Sequence, residues 1–222
     1  MCGRFALYSN PQTLARRFGA QVPTDLKARY NVAPTQTIPI VRQEGEGRRF
    51  ALARWGLIPH WAKEMDTGYS TINARAETVA TKPAFRSAFR HRRCIVPADG
   101  FYEWQAVPGS KVKQPYFIGL RDQEPMALAG LWERWRSPEG DELESCSIIV
   151  TGANDLMRPI HDRMPVILDP ADWDAWLAPD AGDLGVLQGL LRPFPAEALT
   201  ARPVSTRVNS PRNDVLECLE AV

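Results

Sequence analysis

Cys94-Ile95-Val96-Pro97-Ala98-Asp99-Gly100-Phe101-Tyr102-Glu103-Trp104 reads as strand, turn and strand. Cys94-Ile95-Val96 is β-prone, Asp99-Gly100 is a turn dipeptide, and Phe101 to Trp104 resumes an extended run. Alternation along that run puts Phe101 and Glu103 on one face and Tyr102 and Trp104 on the other. A carboxylate on an apolar sheet face acquires a raised pKa and can move protons near neutral pH. Glu103 is equally readable as an exposed residue of an edge strand.

The same strand grammar recurs on both sides. Residues 4–8 read as a strand, after which Asn10 caps a helix with Pro11 at its first position, Leu14 and Phe18 on one face and Gly19 at its end. Residues 37–43 and 48–55 flank Glu44-Gly45-Glu46-Gly47 as a hairpin. Pro59, His60 and Trp61 break into a loop, and Lys82-Pro83 opens a basic helix. Further strands are expected at 115–120, 126–135, 145–151, 164–168 and 203–208, and helices at 170–178 and 211–220. Many short strands with few helices predict an α+β fold: a single domain over residues 1–222, with a curved, barrel-like, mostly antiparallel sheet and peripheral helices.

Composition narrows the function classes. The chain has 222 residues, 44% of them hydrophobic, which is enough for a full core. No run approaches the roughly 18 apolar residues of a membrane span, and the N-terminus lacks a signal-peptide pattern, so a cytoplasmic protein is expected. Cys2, Cys94, Cys146 and Cys218 are widely spaced with no C-x-x-C, which argues against a local zinc knuckle, and no metal site is expected. No cofactor is expected either. Net charge is only +1, but of 27 basic residues just five are Lys, leaving 22 Arg, the side chain suited to phosphate. Arg75, Lys82, Arg86, Arg90, Arg92 and Arg93 crowd one segment with Phe85 and Phe89 interleaved. That segment is either a phosphate-tracking face or an amphipathic helix whose aromatic stripe faces the core.

Chemistry concentrates at the N-terminus. Removal of Met1 would leave Cys2 with an α-amine and a thiol on adjacent carbons. The amine, with pKa about 7.7–8.0, is roughly a tenth unprotonated at pH 7, a few hundredfold more than a Lys amine. It can form an imine with an aldehyde, and the thiol can close onto the imine carbon to give a five-membered thiazolidine. Equally, Cys2 reads as a small apolar residue beginning a strand. Asn73 and Arg75 offer an amide and a phosphate fork two residues apart, or a helix cap. His161, in Pro159-Ile160-His161-Asp162-Arg163-Met164-Pro165, has the most polar setting of the three histidines, with Asp162 either orienting it or starting a turn.

Six stretches in register carry a family resemblance: Met1-Cys2-Gly3-Arg4-Phe5, Arg29-Tyr30-Asn31-Val32-Ala33-Pro34, Arg54-Trp55-Gly56-Leu57-Ile58-Pro59, Ile72-Asn73-Ala74-Arg75-Ala76-Glu77, Pro97 to Trp104, and Ile160-His161-Asp162-Arg163-Met164-Pro165. Together, from residue 2 to about 210, they resemble the SRAP family, the SOS-response-associated peptidases or abasic-site processing proteins. The resemblance implies a DNA-repair protein that crosslinks an abasic site in single-stranded DNA through its N-terminal cysteine, shielding the lesion at replication forks. It also implies removal of its own leading residue, and a monomer suffices for the task. By the same carry-over Cys2 is the nucleophile, Asn73 positions the sugar or the amine, Glu103 is the general acid/base, and His161 assists ring opening or phosphate contact. Gly3, Arg4, Arg75 and Arg163 would contact the DNA backbone, and Pro34, Trp61 and Phe85 would stack on bases. Two positions depart from the pattern: Trp61 is followed by Ala62 where some members have paired tryptophans, and Ala84 replaces a bulky residue before Phe85.

Two other readings fit parts of the chain. An N-terminal-nucleophile amidohydrolase would use the Cys2 thiol with its α-amine as base, but leaves Glu103 and His161 without a task. A non-covalent reader of single-stranded or modified DNA would keep the Arg and aromatic features and be indifferent to Cys2→Ala.

Overall fold

The computed structural model describes residues 2–65, 71–179 and 183–222. The expected helix forms as Pro11–Phe18 (α1): the Asn10 side chain accepts from the Thr13 backbone N–H at 2.8 Å, and Leu14 and Phe18 are fully buried. It follows the strand Phe5–Leu7 (β1) and precedes Arg29–Val32 (β2), a strand with no clear sequence signature. Thr37–Glu44 (β3) and Gly47–Trp55 (β4) form the predicted hairpin, with Gly45 at φ +58° supplying the left-handed turn residue.

Next come Asn73–Arg75 (β5), the short helix Arg86–His91 (α2), and the strands Arg93–Ala98 (β6) and Gly100–Gln105 (β7). Gln114–Leu120 (β8), Met126–Arg136 (β9), Glu142–Gly152 (β10) and Arg163–Pro165 (β11) follow, then the helices Trp173–Leu177 (α3) and Leu184–Gly189 (α4) and the strand Leu199–Pro203 (β12). The order β10-β4-β3-β6-β9 closes on itself through the β9–β10 pairing, making a five-stranded barrel. A second sheet runs β12-β8-β7-β1-β2. The α+β expectation with a barrel-like sheet is met, and most pairings are antiparallel. Among the described residues no helix is long and apolar enough to cross a membrane.

Asp99-Gly100 is not a hairpin turn. β6 belongs to the barrel and β7 to the second sheet, so the chain changes sheets at this point. Buried Asp99 accepts from the backbone N–H groups of Tyr8 and Ser9, at 2.5 and 2.7 Å, and from the Ser9 hydroxyl. The dipeptide therefore ties the crossing to the end of β1. Alternation along β7 holds: Phe101 enters the main core, whereas Tyr102 packs with Phe117, Val204 and Val208 in a smaller cluster behind the sheet.

Three local expectations are corrected. Residues 203–208 do not form a strand: β12 ends at Pro203 and a 3₁₀ turn, Thr206–Asn209, follows with Ser205 Oγ accepting from the Arg207 N–H. A helix over 211–220 reduces to the 3₁₀ turn Leu216–Leu219. There Asp214 accepts from the Tyr30 and Asn31 N–H groups, and Asn31 Nδ2 donates to the Ser210 and Asn213 carbonyls. Groups that a helix would have used internally are spent on β2. The basic helix starts at Arg86 rather than Lys82, after a series of turns.

Candidate functional site

β10 organises the site. β5 runs parallel to it, with Asn73 opposite Ile148 and Arg75 opposite Val150, and β11 runs antiparallel, with Arg163 opposite Gly152. β1 pairs with β7 through Phe5 opposite Phe101, and the Tyr102 N–H donates to the Arg4 carbonyl at 2.9 Å, so the start of the chain lies along the strand carrying Glu103.

Cys2 is fully buried and its carbonyl accepts from Asn73 Nδ2 at 2.8 Å. Burial pushes the Cys2 thiol well above its ordinary pKa, and the Glu103 carboxylate pushes it further, placing these two side chains in one electrostatic environment. Asn73 is itself buried, and its Oδ1 has no hydrogen-bond partner among the described residues. Glu103 is only 2% exposed. Burial raises its pKa, and positive charge on His161 opposes the rise. Sheet position thus made Glu103 a buried carboxyl, not an exposed edge residue.

His161 Nε2 stands 4.0 Å from Glu103 Oε2. Its Nδ1 lies 3.0 Å from the Arg163 backbone N and 2.9 Å from Asp162 Oδ1. A backbone N–H only donates, so in the neutral ring Nδ1 accepts and the proton sits on Nε2, toward Glu103. In the charged ring Nδ1–H donates to Asp162 instead. Cys2, Asn73, Glu103 and His161, distant in sequence, therefore meet in one place.

A groove of about 680 Å³ opens beside Asn73, lined also by Arg75, Thr78, Lys82 and Phe85. Arg75 is exposed on its rim. Arg163 is paired with Glu77 at 2.5 Å, so a phosphate there would compete with a carboxylate. Arg4 is half-buried and donates to Asn31 Oδ1 and the Val208 carbonyl at 2.8 and 2.7 Å. Its guanidinium braces β1 against the C-terminal segment; Gly3 beside it is half-buried. Trp61 is 59% exposed on its own loop, and Pro34 is half-buried after β2; neither lines this groove.

Phe85 is 1% exposed, although it contributes to the groove lining. Its ring sits in the core beneath Lys82, whose Nζ lies 5.7 Å from the ring centroid. Phe89 is also buried, so the aromatic stripe of the basic segment faces inward. Sequence reading passed over Thr78 and Asp99. Thr78 carries no periodic signal, and Asp99 was absorbed into a turn dipeptide. Among the described residues no group of three or more His, Cys, Asp or Glu side chains could hold a metal ion.

Comparison with known proteins places these features in a lineage. The family model described as SOS response associated peptidase (SRAP) matches residues 1–211. The chain is 45% identical over 224 residues to the abasic site processing protein YoqW of Bacillus subtilis (strain 168), covering 100% of both. It is 33% identical over 227 residues to the abasic site processing protein HMCES of Rattus norvegicus, covering 86% of this chain and 64% of that relative. A crystal structure of a protein from Bacteroides thetaiotaomicron superposes with a TM-score of 0.89 at 29% identity, covering 100% of both chains.

Proposed function

The chain belongs to the SOS response associated peptidase (SRAP) family, and on that premise we propose that it processes abasic sites in DNA by covalent capture at Cys2. The observation that carries this reading is the convergence of Cys2, Asn73, Glu103 and His161: the Cys2 carbonyl held by Asn73 at 2.8 Å, with Glu103 and His161 4.0 Å apart beside it.

An abasic deoxyribose interconverts between a closed hemiacetal and an open aldehyde. Once Met1 is removed, the Cys2 α-amine adds to the aldehyde carbon, forming a carbinolamine. Glu103, whose pKa burial raises, acts as the general acid and gives its proton to the departing hydroxyl, so water leaves and a protonated imine forms. The resulting carboxylate then takes the proton from the Cys2 thiol. Sulfur bonds to the imine carbon, the C=N electron pair returns to nitrogen, and a neutral thiazolidine remains. Protein and DNA together lose one water, and Glu103 ends protonated as it began.

The burial of Cys2 favours this order of events. A buried thiol is a poor first nucleophile, whereas the amine reacts unprotonated and the thiol needs only a neighbouring base. Asn73 fixes the Cys2 backbone, His161 exchanges protons with Glu103 and assists ring opening, and Arg75 meets a flanking phosphate. The groove suits a single strand, whose lesion is reachable without unpairing.

Intact-protein mass tests the proposal. After mixing with a single-stranded oligonucleotide carrying one abasic site, protein lacking Met1 should shift by the oligonucleotide mass less one water, and Cys2→Ser should form no stable adduct. Absence of the adduct with protein shown to lack Met1 would overturn covalent capture and leave a non-covalent reader.

A further inference from the structure

The Arg86 N–H donates to the Lys82 carbonyl at 2.9 Å and the Phe89 N–H to the Phe85 carbonyl at 2.8 Å, joining the preceding turns to α2. Arg86 and Arg90 therefore share one face of α2 at i and i+4, with Lys82 in the turn that leads into it. Phe85, Ala88 and Phe89 are buried on the opposite side, and Lys82, Arg86 and Arg90 are all exposed. Lys82 lines the groove at Asn73 and Arg75, so the row begins at the site and leads away from it.

Some arginines are neutralised in place: Arg42 by Glu44 and Glu144, Arg48 by Asp174, Arg134 by Glu144, Arg92 by Glu133. Among the described residues Lys82, Arg86 and Arg90 make no ion pair with a carboxylate, and being exposed beside the groove their charge is open to an external anion. Arg86 and Arg90, four residues apart on α2, are separated by about 6 Å along its axis. That is the length of roughly two stacked nucleotides at about 3.4 Å each.

We propose that Lys82, Arg86 and Arg90 form a phosphate rail that carries the single strand beyond the captured nucleotide, extending the footprint along α2. The rail rests on the abasic-site reading above and adds to it a directional binding surface. It acts through charge, so it contributes affinity and salt dependence without touching the chemistry.

The experiment uses the full chain, fluorescence anisotropy, and oligonucleotides bearing a stable abasic analogue that cannot be captured. One oligonucleotide is confined to the groove, and two others extend it on the 5′ or the 3′ side. For the parent protein, extension on one side only should tighten binding. With that oligonucleotide, Arg86→Ala/Arg90→Ala should weaken binding and reduce the slope of log K against log salt by about 1.4, at about 0.7 per lost phosphate contact. The groove-confined oligonucleotide should bind both proteins alike. Arg86→Lys/Arg90→Lys should restore the slope, since a point charge suffices, and a restored slope also separates lost charge from damaged fold. An unchanged slope in the alanine variant, or equal weakening with the short oligonucleotide, would overturn the rail. Capture of a true abasic site in the short oligonucleotide is read separately; its failure in the parent protein would sink the capture reading instead.

Discussion

Glu103 is the residue on which chemistry and stability pull in opposite directions. A carboxyl whose folded pKa is raised by burial binds a proton in the native state at pH values where the unfolded chain, with pKa about 4.3, has lost it. Folding stability should therefore rise as pH falls from neutral through the raised folded value, and level off below about 4.3. Urea midpoints measured across that window should show the slope in the parent protein and a weaker one in Glu103→Gln. The same variant should form the adduct about 10²–10⁴ times more slowly at saturating DNA while binding the strand normally. Capture at the parental rate would remove Glu103 from the proton path. A raised pKa at Glu103 was legible in the alternating strand pattern, but its choice between core and edge was not, because alternation defines faces without saying what covers them.

At the scale of elements, the crossing between β6 and β7 matters most. A Cβ on Gly100 would lie 2.2 Å from Phe117 Cζ and 2.5 Å from the Ile118 carbonyl oxygen. No rotamer relieves contact with a backbone oxygen, so Gly100→Ala must push β7 away from β8. We expect a loss of about 1–3 kcal/mol in urea denaturation. Adduct formation should slow as well, because β7 carries Glu103 and β1, which leads from Cys2, pairs with it. A variant with both stability and capture rate intact would mean that β8 yields freely. The N-terminal helix, by contrast, was readable to its last residue, since its cap, first-turn proline and terminal glycine are local interactions. The segment 211–220 was misread for the converse reason: Asp214 answers to Tyr30 and Asn31, far away in the chain.

Across the whole molecule, Arg93 joins parts that share no sequence neighbourhood. It is 3% exposed on β6 and donates to the carbonyls of Trp176 at 2.7 Å, Phe89 at 2.8 Å and Arg90 at 2.5 Å, and to that of Ala178. Arg93→Ala would orphan the buried Trp176 and Phe89 carbonyls and strip two half-buried ones of their donor, and should cost on the order of 3 kcal/mol, read as a lowered urea midpoint. Arg93→Lys should recover only part, lacking the planar fork. Such a residue looked in the sequence like one more member of a basic run, as did Arg86 and Arg90, which face solvent. The sequence by itself determined the strand-rich composition, the α1 boundaries and the β3–β4 hairpin, because each is written in neighbouring residues. Tertiary structure alone decided that the barrel closes through β10, that Asn73 and Arg163 flank that strand, and that Phe85 lies inward. Those outcomes depend on pairings and burial between distant segments, whose free energy is shared across the fold and carried by no single stretch of chain.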